Sequence, residues 1–525
     1  MSLESDLKGK MTYHAWKKVG IHSHHGLNVP LFSIHTEKSC GVGEFFDLLP
    51  LIDWCKKIGM DIIQLLPLND SGQDPSPYNA LSACALHPIY LSLHALPYIE
   101  GMEAKLKPLH SFNTTKHLHY QLIYKEKLKF LRTYLKRTKE TLKQDPAFED
   151  FVIKHHWLPS YALFRVLKDK HNHIHWKHWP EDVRYPSSNQ LKKLYSEYAN
   201  EMEYHYLIQF LCFQQLRHVK SYGESKGVYL KGDVPILVSP DSADVWTNPS
   251  FFDFNHVAGS PPNKFDPEGQ YWGFPLYNWK AMEQDHYEWW KKRLLTAQEL
   301  YHLYRIDHII GFFRLWAIPP HQKPAKGAYL PENPSIMRAQ GRKIIEVLAS
   351  FTDMLPIGED LGQPPPFVHE CLKDYGIPGT KIFRWQKEWK KGENFIPFKD
   401  YEPISMTSVS THDLDTVKLW WQKNPNDASA FATFKGWNYE KNLTLDQQFE
   451  ILHDNHHSGS LFHINLLQEY LALVPELTWE NPEDERINYP GTIQPRNWSY
   501  RYKFPLEKLI SHPELNDRMK KILEV

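Results

Sequence analysis

Cysteine is scarce and scattered: the five residues Cys40, Cys55, Cys84, Cys212 and Cys371 form an odd set with no C-x-x-C spacing. A disulfide framework and a zinc ribbon are therefore not expected, and a reducing cytosol suits the chain best. Charge of one sign is lacking too, since Lys+Arg 61 against Asp+Glu 62 leaves a formal net charge of -1. Without a basic field, nucleic acid is not an expected partner. No stretch approaches the roughly 20 apolar residues of a membrane span. The start, "MSLESDLKGKMTYHAW", carries no apolar signal-peptide core. The expectation is a cytoplasmic protein with no membrane partner. A dinucleotide fingerprint is absent as well: "GVGEFF" at Gly41 lacks the third glycine and a preceding strand, and reads as a helix entry. No cofactor is expected.

What is present is aromatic: 18 Trp and 28 Tyr in 525 residues, 14% aromatic overall. Flat amphipathic rings suit ligands with an apolar face and a polar rim, as sugars have. A large core with aromatic-rich insertions would account for the same composition, and at 42% hydrophobic content such a core is available.

Short β-type runs recur along the chain, each followed by a loop and then a helical pattern. They are "DIIQLLPLND" (61–70), "GVYLKGDVPILV", "YHLYRIDH", "MLPIGEDLG", "GTKIFRW" and "ISMTSVSTHD". Strands alternating with helices imply a parallel sheet. At this length a closed (β/α)₈ TIM barrel leads, with a doubly wound open sheet second. From about residue 98 to 225 the pattern changes to charged amphipathic helices, read as a helical insertion. That divides the chain into 1–97, the start of the barrel, the insertion 98–225, and 226–525, the remainder. No appended C-terminal β-module is visible.

In such a barrel the C-terminal strand ends face the active site. Four predicted strands carry an acid there: Asp233 in "KGDVP", Asp307 in "YRIDH", Glu359 in "IGEDLG" and Asp413 in "STHDLDT". Carboxylates gathered in one pocket repel unless partners compensate. Arg305, two residues before Asp307, and His412, next to Asp413, are suited to that. One ionised carboxylate beside a second with a raised pKa is the pair that glycoside cleavage requires. Singly, each acid has a bland explanation: Asp307 as a salt-bridged strand end, Asp413 as a helix N-cap, Glu359 or Asp360 as a cap before "PPPFVHECLKDYG". Those explanations do not say why three strand ends present an acid to one rim.

The residues carry a family resemblance. "YRIDHIIGFFRLW", "IGEDLG" and "STHDLDT" stand in the order found in the 4-α-glucanotransferases (amylomaltases, or disproportionating enzymes). So do "GVGEF", "SPYNALSACALHPIYL", "KGDVPILVSPDSADVW", "GSPPNKFDPEGQYWGFPLYNW" and "PGTIQPRNW". The chain resembles this α-amylase-clan family, glycoside hydrolase family 77, from about Gly20 to Arg501. The resemblance implies a (β/α)₈ barrel that transfers 1,4-α-glucan segments with retention to the 4-hydroxyl of glucose or another glucan. It implies Asp307 as nucleophile, Glu359 as general acid/base and Asp413 as transition-state stabiliser. Arg305, His412 and Asp233 would surround the donor sugar, Tyr78 would stack on it, and Ser76 and His308 would lie nearby. Trp272 and the loop 259–275, with Pro261 and Pro262, would cover the glucan channel, and Tyr271 is a further aromatic candidate there. The N-terminal stretch "GIHSHHGLNVPLFSIHTEKSCGVGEF" is similar to the catalytic part of the cytosolic plant enzyme, without the starch-binding modules that precede it there. An α-glucan hydrolase using the same acids is the nearest alternative, and a non-catalytic glucan-binding protein another.

Thirty histidines include the clusters "HSHH" (His22, His24, His25), "HNHIHWKHW" and "HDNHH" (His453, His456, His457). None has H-E-x-x-H or mixed Cys/His spacing, and no D-x-D-x-D calcium loop appears. No metal is expected.

Overall fold

The computed structural model describes residues 3–263, 266–389 and 392–524. Eight strands run parallel: β1 His24–Val29, β2 Ile62–Leu65, β3 Tyr229–Val234, β6 Leu303–Ile306, β9 Leu355–Gly358, β10 Gly379–Ile382, β11 Ser405–Ser408 and β12 Phe462–Leu466. Their lateral order is β10-β11-β12-β1-β2-β3-β6-β9, which is chain order around a ring. β1 pairs with β12 through His24↔Phe462 to Asn28↔Leu466. At the remaining seam the Gly358 amide donates to the Pro378 carbonyl at 2.8 Å. This is the (β/α)₈ barrel that the alternation implies, not the open sheet.

The helix Leu48–Ile58 buries Leu48, Leu51, Ile52, Trp54, Cys55 and Ile58, a 3.6-residue stripe against the barrel, and stops at Gly59 with φ 88°. Its entry is fixed by Gly43 and Glu44. A Cβ on Gly43 would fall 1.8 Å from the Leu31 carbonyl oxygen. Glu44 makes a capping box with Asp47 and takes a 2.5 Å bond from buried Lys127. Beneath the barrel the helix Tyr13–Val19 sets Trp16 against Phe462, with ring centroids 5.4 Å apart, closing the N-terminal end with Leu303, Leu355 and Ile357.

Between β2 and β3 lie the helices Tyr120–Lys143, Pro146–Lys154, Leu158–Lys170, Ser188–Glu197 and Ala199–Lys226. The tract 171–186, loop-like in sequence, contains only the short turns Trp176–His178 and Glu181–Arg184. A second sheet was not legible in sequence. β4 Phe252–Ser260, β5 Gln270–Tyr277, β7 Leu315–Ile318 and β8 Ala328–Leu330 form an antiparallel layer in the order β5-β4-β7-β8. The expected covering loop 259–275 is thus largely a β-hairpin, with Pro261 and Pro262 between its strands and residues 264–265 outside the described set. After β12 the described residues hold helices and turns but no further strand.

Candidate active site

Arg305 is the centre of the site. It lies one residue from the end of β6, between Asp233 on β3 and Ile357 on β9. Its Nη1 meets Asp307 at 2.8 Å and both Asp233 oxygens at 2.9 and 3.0 Å, while Nη2 is 3.6 Å from Glu359. One buried guanidinium thus gathers acids from three adjacent strands, offsetting the repulsion that burial would magnify. Asp233 has no side-chain exposure and sits behind Arg305 and Tyr78, both of which bond to it.

Glu359 follows β9. Its Oε2 accepts the His308 amide at 2.7 Å, and His308 takes a left-handed φ of 41° at the turn after β6. Burial pushes the Glu359 carboxyl up to about 8, against the pull of Arg305 and with a further push from Asp307. Asp413 goes the other way. Burial would raise it, but His412 at 3.3 Å and a 2.6 Å bond from Asn488 Nδ2 hold it well below the usual carboxylate range. The two environments thus drive the Glu359 and Asp413 carboxyls in opposite directions. The helix-cap explanations fail here. Thr416 caps the helix after Asp413, and Pro365 precedes the helix after Glu359.

Tyr78 donates to Asp233 at 2.9 Å, lies 3.0 Å from His412 Nε2, and stacks on the His412 ring at 5.5 Å. Trp272, on β5, meets the His308 ring edge-on at 5.2 Å, so the hairpin reaches over the acids. Tyr78, Trp272, Arg305, Asp307, His308, Glu359, His412 and Asp413 all line one cavity of about 460 Å³. Ser76 is not brought to its wall: its amide turns to Asp74 at 2.9 Å. Asn488 and Trp498, which sequence reasoning did not single out, are in the lining. Both come from the irregular segment after residue 487, where no periodicity points to a site.

A (β/α)₈ barrel that presents an environment-split carboxylate pair at its C-terminal mouth belongs to the glycosidic-bond chemistry class. The family model described as "4-alpha-glucanotransferase" matches residues 29–507, so the chain belongs to that family. It is 44% identical over 518 residues to a 4-alpha-glucanotransferase of Chlamydia pneumoniae, covering 97% of each chain. It is 27% identical to the 4-alpha-glucanotransferase DPE2 of Oryza sativa, covering 95% of this chain and 69% of that one. Among solved structures, an amylomaltase from Streptococcus agalactiae in complex with acarbose superposes with a TM-score of 0.81 at 22% identity, covering 95% and 98% of the two chains.

Proposed function

We propose that the chain is a retaining 4-α-glucanotransferase in which Asp307 is the nucleophile, Glu359 the acid/base and Asp413 the stabiliser of the charged transition state. One observation carries this reading: Arg305 touches Asp307 and Glu359 at the mouth of one cavity, where burial raises the Glu359 carboxyl and so favours its protonated form. An Asp307 oxygen attacks C1 of an α-1,4-linked glucose. The C1–O4 bond breaks, its electron pair stays on the departing oxygen, and that oxygen takes the Glu359 proton. Ionised Glu359 then accepts the proton of an incoming 4-hydroxyl as its oxygen bonds C1 and releases Asp307, so the configuration is retained. Asp413, kept ionised, faces the positive charge that builds on the ring.

Tyr78 and Trp272 supply aromatic surfaces for the sugars, and the β4–β5 hairpin favours a glucan acceptor over water. Free maltooligosaccharides and glucose are the substrates and acceptors this reading assigns. The stretch 98–225 is read as a helical insertion in the barrel, and the five free cysteines, all buried, suit a cytosolic location. No helix among the described residues is long and apolar enough to cross a membrane.

Product analysis from pure maltotriose tests the reading. Glucose together with a ladder of maltodextrins longer than the substrate is expected. Only shorter products would replace it with the hydrolase, and no turnover with maltodextrin still bound would leave a binding protein.

A further inference from the structure

Two histidine-rich stretches unused by this chemistry, far apart in sequence, meet at the opposite end of the barrel from the acids. His25 and His463 are register partners near the N-terminal starts of β1 and β12. Their rings stack at 4.9 Å with an 18° interplanar angle. His456, the last residue of the helix Leu445–His456, packs beside them and brings its Nδ1 to 2.8 Å from His25 Nδ1. One ring nitrogen from each of the three lies within 4.8 Å of the others.

The hydrogen bonds around this trio are incomplete in a telling way. His463 Nδ1 lies 3.1 Å from the His24 carbonyl, so the neutral ring carries its proton there and Nε2 is a bare lone pair. In that tautomer Nε2 is buried without a hydrogen bond; in the other it would face the Ser458 carbonyl as a donor. The outer nitrogen of His456 is held by Tyr470 Oη at 2.6 Å. A carbonyl or hydroxyl on the outer nitrogen, with the other nitrogen turned inward, is how proteins orient imidazole ligands. His456 Nδ1 and His25 Nδ1 share the 2.8 Å hydrogen bond that an ion would replace, which leaves His463 Nε2 as the nitrogen of the trio without a partner. In the neighbouring trio of His22, His24 and Asp61, the His24 nitrogens rest on Asp61 at 2.7 Å and the Gly20 carbonyl at 3.1 Å.

We propose that His25, His456 and His463 form a three-imidazole site for a divalent transition ion of the zinc type, its fourth position open to water. Burial keeps all three rings unprotonated at neutral pH, which is the ligand form. With Zn–N bonds of about 2.0–2.1 Å, tetrahedral ligands sit about 3.3 Å apart. To bind an ion the His25–His456 pair would open from 2.8 Å to that spacing, and the stacked His25 and His463 rings would turn out of their 18° alignment so that their in-plane lone pairs converge. His25 is only partly buried and gives the ion its entry. The ion would fasten the first strand of the barrel to its last and to the helix that covers both. Its role is structural, since the site is remote from Asp307.

Chelator-treated full-length protein titrated with Zn²⁺ by calorimetry, and with Co²⁺ by visible absorption, tests this. One equivalent bound, a tetrahedral Co²⁺ spectrum and a raised melting temperature are expected. His25→Ala and His463→Gln each lose at least ten-fold in affinity, while His22→Ala binds as the native chain does. Absence of stoichiometric binding, an octahedral Co²⁺ spectrum, or equal affinity in His25→Ala would overturn the proposal. Should His463→Gln fail to fold, the native protein's Co²⁺ spectrum and the half-buried His25 variant still decide.

Discussion

In the proposed reaction Glu359 gives a proton while one bond breaks and takes one back while another forms, so its environment would set the working pH. Burial raises the Glu359 carboxyl to about 8, so kcat/KM for maltotriose is expected to fall as pH rises through that value. Glu359→Gln should lower kcat by roughly 10²–10⁴-fold, the usual worth of a general acid. Stability moves with the same proton. The folded-state value exceeds the ordinary 4.5, so between the two only the folded chain is protonated, and the stabilisation present below 4.5 is lost as pH rises through about 8. Glu359→Gln removes that decline, which melting temperatures at pH 5 and pH 8.5 would show; an unchanged slope would mean Glu359 is not the buried acid. Asn488 acts on the opposite partner. Asn488→Ala takes away the 2.6 Å donor to Asp413, so the acid limb of the pH–rate profile should move upward and kcat/KM drop about ten-fold, the worth of one hydrogen bond to a charge. The three acids and Arg305 were legible because each ends a β-type run. Asn488 was not, because nothing in "DERINYPG" distinguishes a residue that holds an acid from one that holds a turn.

Among the elements, those with a clear hydrophobic run were the readable ones. β2, β3, β6, β9, β10 and β11 all lie inside runs that the sequence marks. β1 and β12 were missed because "HHGLNV" and "FHINL" mix histidine and asparagine into their outward and inward faces, which erases both alternation and a continuous apolar run. The β4–β5 hairpin was missed for another reason. Its burial pattern is mostly intermediate, with prolines and glycines at its tip, so it looks like loop from composition. Being paired gives it stiffness that a loop would lack, and Trp272 rides on that stiffness above His308. Trp272→Ala should therefore weaken maltotriose binding several-fold, in line with about 1 kcal/mol for an aromatic contact. It should also raise glucose released by hydrolysis relative to longer products, measured on the same chromatogram. A product ratio equal to that of the native enzyme would remove the hairpin from acceptor selection.

Across the whole molecule, the helices between β2 and β3 hold the loop that carries Tyr78. Asp70, five residues beyond β2, is fully buried and paired with Arg165 from the helix Leu158–Lys170. Tyr161 donates to the same carboxylate at 2.6 Å, and the Gly72 amide binds its other oxygen at 2.9 Å. Tyr120, from the helix Tyr120–Lys143, donates to the Gly72 carbonyl at 2.9 Å. The loop 70–79 is thus clamped from two of these helices before it delivers Tyr78 to Asp233. Removing one partner of a buried ion pair strands the other charge, at a cost of about 3–5 kcal/mol. Arg165→Met should accordingly depress the melting temperature and, by loosening the loop, raise KM for maltotriose more than it lowers kcat. Asp70→Asn/Arg165→Met leaves no charge to strand and keeps a side chain able to bond Tyr161 and Gly72, so it should recover most of the stability. A single variant as stable as the native chain, or a double variant no better than the single, would show that the helices pack beside the barrel without organising its mouth.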